Sequence, residues 1–272
     1  MPQSGIMEDN MINNWDKFLL PYNQAVEELK VKFKSIRKSY KEIEEYSPIE
    51  FVTGRVKKIS SIIEKLDRRG LTVEQADELE DIAGIRIMCQ LVDDISTVVE
   101  LIRCRDGKDL EIVEERDYTK NIKESGYRSY HVIIKYWVYT SVGEKEVLAE
   151  IQIRTLAMNF WATIEHSLNY KFDENIPEHI IERLKNAADA AYNLDMEMSQ
   201  IKDDIVDSQK LFMAESALTE KILYKIHVLY LNSNYKNVDL LRKDFYNAKK
   251  NGSIDDLKKL NDRIDMLLEE LS

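Results

Sequence analysis

The spacing of apolar residues changes several times along this chain, and each change marks an element. From Tyr22 to Ile43 the apolar positions (Tyr22, Val26, Leu29, Phe33, Ile36, Tyr40, Ile43) step by four and three. That spacing predicts a long amphipathic helix, opened by Pro21 and stopped by Ser47 and Pro48. Phe51 to Lys57 alternates, a short strand with Thr53, Arg55 and Lys57 on one face. A helix from about Lys58 to Arg69 follows and ends at Gly70. Its inner side is read as Ile59, Ile63 and Leu66, and Ser61, Lys65 and Arg68 share the other. Ile85, Ile87 and Cys89 alternate with Arg86 and Met88, a buried strand in which Gly84 allows close backbone passage. Residues 93–103 read as a helix with Ile95, Val98, Val99 and Ile102 inward, Leu110 to Glu114 as a strand, and Arg116 to Glu124 as a polar loop.

Two strands come next. Val132, Ile134, Tyr136 and Val138 line one side of the first; after a hairpin at Gly143, Val147, Ala149, Ile151 and Ile153 line one face of the second. Glu150, Gln152 and Arg154 therefore share the opposite face at intervals of about 6.6 to 7 Å. Thr155 can cap a helix bearing Asn159, Trp161, Glu165 and His166, so the polar row runs into a helix N-terminus suited to anions.

After Pro177 a second long helix is expected, with Ile180, Leu184, Ala187, Ala191, Leu194, Met198, Ile201 and Ile205 forming a seam for the N-terminal helix or another subunit. Ser208 to Lys210 offers a polar boundary, and a helix with Leu218, Ile222, Leu223, Ile226 and Leu229 ends near Asn232 to Asn234. Another spans about Val238 to Lys250, and Ser253 caps a last one through Leu267. Residues 1–10 read as frayed. The division expected is an extension over 1–20, a main domain over 21–210 and a helical extension over 211–272.

With 272 residues, 44% of them hydrophobic and only 8 Gly and 4 Pro, the chain can bury a substantial core and is not a disordered one. A net charge of −11 argues against blanket nucleic-acid binding and makes a local basic cluster informative. Residues 55–69 hold Arg55, Lys57, Lys58, Lys65, Arg68 and Arg69 against only Glu64 and Asp67. Alone, this reads first as an ordinary solvated basic face. Four cations and the Ser61 hydroxyl converging on one cleft, however, would suit a triphosphate. Cys89 and Cys104 form neither a metal motif nor a disulfide framework. There is no basic-then-apolar leader and no apolar run of membrane-spanning length, so the chain is expected to be cytoplasmic and away from membranes.

Several residues carry two readings. Asp81 can be a turn residue or, beside Glu150, a Mg²⁺ ligand, since Mg²⁺ takes one or two carboxylates plus phosphate oxygens. Tyr127 and His131 can be core residues or can hold a substrate. Glu150 can be a base or a mere anchor for Arg154.

The segments SGYRSYH and AEIQIRTLAMNFWATIEHSLNYK, with FVTGRVKKISSIIEKLDRRG and LEDIAGIRI upstream, resemble the synthetase domain of the RelA/SpoT family, most closely its single-domain small alarmone synthetases. The likeness covers roughly residues 20 to 205. It implies an α/β fold with a mixed sheet, of the nucleotidyltransferase superfamily, flanked by long helices. The implied reaction is transfer of the pyrophosphoryl group of ATP to the 3′-hydroxyl of GDP or GTP, making ppGpp or pppGpp. The resemblance assigns Arg55, Lys57, Ser61, Lys65, Arg68 and Arg86 to ATP, and Asp81 with Glu150 to Mg²⁺. It gives Lys123 to the acceptor diphosphate, Tyr127 to the guanine ring and Glu150 to proton abstraction. His131 is expected to orient the acceptor, and Gln152 and Asn159 are candidates for hydrogen bonds to the base. A homotetramer is implied as well, while regulation by alarmone or single-stranded RNA stays open. None of His131, His166, His179 and His227 is followed by Asp, so the family's hydrolase motif is not expected. The rival is a catalytically silent nucleotide- or RNA-binding regulator with the same fold.

Overall fold

The computed structural model describes residues 15–171, 177–231 and 237–270. The frayed N-terminus and the helix end near Asn232 to Asn234 expected from the sequence lie outside them. The chain packs as two units, Met1–Ser199 and Gln200–Ser272.

The first unit is built on five strands: β1 (Phe51–Val56), β2 (Ala83–Cys89), β3 (Glu111–Asp117), β4 (Tyr130–Thr140) and β5 (Gly143–Thr155). They lie in the order β1-β2-β5-β4-β3; β2 and β5 are parallel and the other neighbours antiparallel. Register separates the two faces. Gly54, Ile85, Ile151 and Val132 align across four strands in one row, and in the adjacent row Arg55, Gly84, Glu150 and Ile133 align on the opposite face. One face is therefore core and the other carries chemistry.

Helix α1 (Trp15–Glu42) covers the apolar face with Tyr22, Ala25, Val26, Leu29 and Phe33, all buried. Full burial of such side chains stabilises by about 1.5 to 3 kcal/mol each. Pro21 does not open this helix but lies inside it, with its ring buried; the missing N–H costs one backbone bond, compensated by packing. The close approach lies at Gly54, where a Cβ would come within 2.9 Å of Val26 and Ile85. At Gly84, where tightness was expected, a Cβ would only touch the Arg55 carbonyl at 3.5 Å.

Helix α2 (Ile59–Arg69) ends at Gly70, whose φ of 66° is the left-handed conformation that glycine supplies cheaply. Its buried residues are Ile62 and Leu66; Ile63 is exposed, because the helix is turned one position from the face read in the sequence. A short 3₁₀ turn (Val73–Glu78) leads to Asp81. Helix α3 (Val92–Arg103) buries Ile95, Val98, Val99 and Ile102 as expected. Strand β3 runs on to Asp117 past a register shift between Ile112 and Glu114, so the polar loop is shorter than read. Thr155 does cap α4 (Leu156–Lys171), its Oγ1 accepting from the Met158 N–H at 3.1 Å.

Helix α5 (Glu178–Leu231) is continuous for 54 residues. It runs through Ser208 to Lys210 without interruption, since no Gly or Pro lies between Pro177 and Gly252 and polar residues alone do not stop a helix. Leu194, Met198, Ile201 and Ile205 are exposed, whereas Ala188, Asp195 and Ser199 are buried. Ala188 packs against Trp161 and Ala162 of α4 and stands close to the Gly126 backbone.

In the second unit the end of α5 packs with α6 (Val238–Asn251) and α7 (Ile254–Glu270) through Ile222, Ile226, Leu229, Leu241, Phe245, Leu257, Leu260 and Ile264. Ser253 starts α7, its N–H donating to Asp256 Oδ2 at 2.8 Å. Among the described residues no helix is long and apolar enough to cross a membrane.

Candidate active site

The open sheet face holds a cavity lined by Thr53, Gly54, Arg55 and Lys57 of β1 and its end, Asp81, Gly84, Ile85 and Arg86 of β2 and its approach, and Glu150 and Gln152 of β5. Gly84 stands in register between Arg55 and Glu150, so its missing side chain leaves the floor open.

On one side of the cavity cations converge on a carboxylate. Lys57 Nζ and Lys65 Nζ reach the same Asp81 oxygen, Oδ2, at 2.7 and 2.8 Å. The other oxygen, Oδ1, is buried with no partner among the described residues. Burial alone would raise the Asp81 pKa, but the two ammonium groups outweigh it and hold the carboxyl below its usual range. Arg86 stands in register between Thr53 and Gln152. Burial, with Arg154 and Arg55 nearby, lowers its pKa from the usual guanidinium value. Ser61 and Arg68 share the α2 face of Lys65 but do not line the cavity, and Arg68 is exposed.

On the other side five side chains close a circuit. Glu150 Oε1 meets His131 Nδ1 at 2.9 Å, His131 Nε2 meets the Tyr127 hydroxyl at 2.8 Å, and Arg154 donates to that hydroxyl at 2.5 Å. Arg154 also donates to Gln152 Oε1 at 2.6 Å, and Gln152 Nε2 returns to Glu150 Oε2 at 2.7 Å. A proton on Nδ1 would let His131 donate to Glu150 and accept from Tyr127, whose oxygen accepts from Arg154. Burial pushes the Glu150 pKa up, but His131 and Gln152 pull it down further, so the group stays ionised at neutral pH. Such a carboxylate is a weaker base that is always in its basic form.

Lys123 Nζ lies 4.4 Å from the Tyr118 ring centroid and 5.0 Å from that of Tyr127. Tyr118, which packs edge-on against His131 with centroids 5.0 Å apart, was missed in the sequence, where it is simply one aromatic in a polar stretch. Arg154 was seen only as part of a row, yet its guanidinium lies 5.1 Å from the Tyr127 centroid. Asn159 stands in the first turn of α4 with Oδ1 buried and without a hydrogen-bond partner among the described residues. The structure thus gathers Arg55, Lys57, Lys65, Asp81, Arg86, Glu150 and Gln152 around one cavity or its carboxylates, and Lys123, Tyr127 and His131 beside them.

Two carboxylates with cations to one side and aromatic rings to the other, on the open face of a mixed sheet, make a site of the class that joins two phosphorylated ligands. Comparison with known proteins agrees. A family model described as a region found in RelA / SpoT proteins matches residues 54–175. GTP pyrophosphokinase YjbM of Bacillus subtilis (strain 168) is 54% identical over 207 residues, covering 76% of this chain and 97% of its own. GTP pyrophosphokinase YwaC of the same organism is 40% identical, covering 74% and 93%. The crystal structure of small alarmone synthetase 1 from Bacillus subtilis bound to its product pppGpp matches with a TM-score of 0.68 and 56% identity, over 71% of this chain and 99% of that one. The chain belongs to the RelA/SpoT family.

Proposed function

We propose that this protein is a GTP pyrophosphokinase, moving the pyrophosphoryl group of ATP to the 3′-hydroxyl of GDP or GTP to give ppGpp or pppGpp. The observation that carries the reading is Glu150: an ionised carboxylate held by His131 and Gln152 at the junction of a cation-lined cavity and an aromatic loop. The kinship with GTP pyrophosphokinases supports it.

Arg55, Lys57, Lys65 and Arg86 neutralise the ATP phosphates, with Ser61 and Arg68 on the flank of α2. Lys57 and Lys65 exchange Asp81 for phosphate oxygens as the triphosphate enters, keeping charge balanced. Tyr127 stacks on guanine, Lys123 faces the acceptor diphosphate, and Gln152 and Asn159 offer hydrogen bonds to the base. His131 orients the acceptor ribose and holds Glu150.

The ribose 3′-oxygen forms a bond to the β-phosphorus of ATP. The bond between the β-phosphorus and the oxygen that bridges it to the α-phosphate breaks, and AMP leaves carrying that oxygen. The hydroxyl proton passes to Glu150, whose position beside the acceptor makes up for its modest basicity. Asp81 and Glu150 fit Mg²⁺ as hard oxygen donors, one of them with a buried oxygen that has no partner among the described residues, and would hold the ion. When bound, Mg²⁺ supplies charge neutralisation at the phosphate oxygens.

A homotetramer in the cytoplasm is the accompanying proposal. Exposed Ile201, Ile205, Phe212 and Met213 on α5 support self-association. Light scattering coupled to size exclusion tests the stoichiometry, and a monomer would refute it. For the reaction itself, purified protein is incubated with ATP, GDP and Mg²⁺, and products are separated by anion exchange. Equal amounts of AMP and ppGpp are expected. Nucleotide binding with no AMP would replace the enzyme by the silent-regulator reading.

A further inference from the structure

Helix α5 reaches the loop that carries Tyr127 through residues outside the reaction scheme above. Gly126 has φ of 87°, and a Cβ there would stand 2.8 Å from Ala188 Cβ and 3.4 Å from Lys185 Cα, so the helix lies directly against the loop backbone. Arg128, only 7% exposed, donates from NH1 to the Gly126 carbonyl at 3.0 Å and from NH2 to Asp189 Oδ1 at 2.7 Å. Its guanidinium lies 4.8 Å from the Tyr192 ring centroid. Trp161 Nε1 donates to the Leu184 carbonyl at 2.8 Å, and Tyr127 packs on the small cluster of Trp161, Ala162 and Ala188. Tyr127 is therefore bracketed: the residue before it is pressed on α5, and the residue after it is ion-paired to α5.

Stability does not account for this arrangement. Burying a guanidinium is costly, and its carboxylate partner is nearly half exposed, so the pair adds little to the fold compared with an apolar side chain of similar volume. What the fork does supply is geometry. It fixes the carbonyl of Gly126 and a point on α5 at once, and so fixes the backbone on either side of the ring.

We infer that Arg128 and Asp189 are positioning residues that set the affinity for the acceptor nucleotide by holding the Tyr127 loop against α5. The inference rests on the reading of Tyr127 as the platform for the acceptor base. It assigns no contact with substrate to either residue; both act through Tyr127.

The test is steady-state kinetics on the full chain for Asp189→Asn, Asp189→Glu, Tyr127→Ala and the Tyr127→Ala/Asp189→Asn double variant, varying GDP and ATP separately. Asp189→Asn is expected to raise KM for GDP about 3- to 10-fold, the scale of coupling between contacting residues. The KM for ATP and kcat should stay within about twofold. Asp189→Glu should restore most of the GDP affinity. In the Tyr127→Ala background, Asp189→Asn should add nothing further. Because Asp189 is at the exposed end of the pair, its substitution keeps the fold; Arg128→Lys, which retains charge and loses one arm of the fork, reads out the same effect independently. A purely structural clasp would instead lower the melting temperature and affect both substrates alike, and that result overturns the inference. Additive effects in the double variant overturn it too. If Tyr127→Ala raises KM for GDP and Asp189→Asn does not, this inference alone fails. If Tyr127→Ala leaves KM for GDP unchanged, the acceptor reading fails with it.

Discussion

The two sides of the cavity are built on different principles. The cationic side comes from one contiguous stretch, Arg55 to Arg86, and is held by charge: two ammonium groups paired to one carboxylate, with arginines nearby. The aromatic side gathers Tyr118, Tyr127, His131, Glu150, Gln152 and Arg154 from a loop and two strands, buttressed by α5. Charge acts over a distance and tolerates a shift of a few tenths of an ångström. A closed hydrogen-bond circuit does not, because each member orients the next and a gap leaves a buried group unsatisfied. The first side should lose function gradually as members are removed, and the second cooperatively.

The largest effect is expected where the two sides meet. Glu150→Gln retains size and the capacity to accept a hydrogen bond from His131, but removes the charge and the basicity. It should lower kcat by at least about 100-fold, the scale of general-base assistance, while nucleotide binding without turnover weakens much less. Near-normal kcat would move the chemistry away from this strand.

Removing a member of the aromatic side comes next. Tyr127→Ala should weaken GDP binding by about 1 to 3 kcal/mol, as loss of a stacked base does elsewhere, and leave KM for ATP near its original value. Equal effects on both substrates would dissolve the distinction between the two sides.

On the cationic side, Lys65→Ala should raise KM for ATP by about tenfold, matching the loss of one charge-assisted bond, and leave KM for GDP unchanged. Lys57 still neutralises Asp81 in that variant, so a collapse of kcat comparable to that of Glu150→Gln would show that the cations form a circuit as strict as the aromatic one.

The smallest effect is expected from the C-terminal unit. The described contacts of α5 with the acceptor loop and Thr155 end at Asp195, so a chain ending near Lys210 should remain folded and keep kcat within about twofold, by the independence of distant sites. A soluble, folded but inert product would mean that the aromatic side draws on residues beyond 210.

The sequence by itself determined the strands and their faces. Period-two alternation in Val132 to Val138 and Val147 to Ile153 leaves only one way to bury the apolar half, and that puts Glu150 and Gln152 on the open face. It also determined the cationic side of the cavity, because Arg55, Lys57 and Lys65 sit on local elements whose geometry needs no distant partner. Only the tertiary structure decided the rest. Periodicity says that a helix face is apolar but not what covers it, so the burial of Ala188 and Asp195 could not be read from spacing. Helix rotation is likewise set by packing, which is why Ile62 and not Ile63 faces the core. The circuit of His131, Tyr127 and Arg154 joins residues up to 27 positions apart through side-chain hydrogen bonds, and such bonds leave no periodic trace in the chain. Their partners are chosen by the three-dimensional approach of a loop, a sheet face and a helix, and that approach exists only once the core has formed.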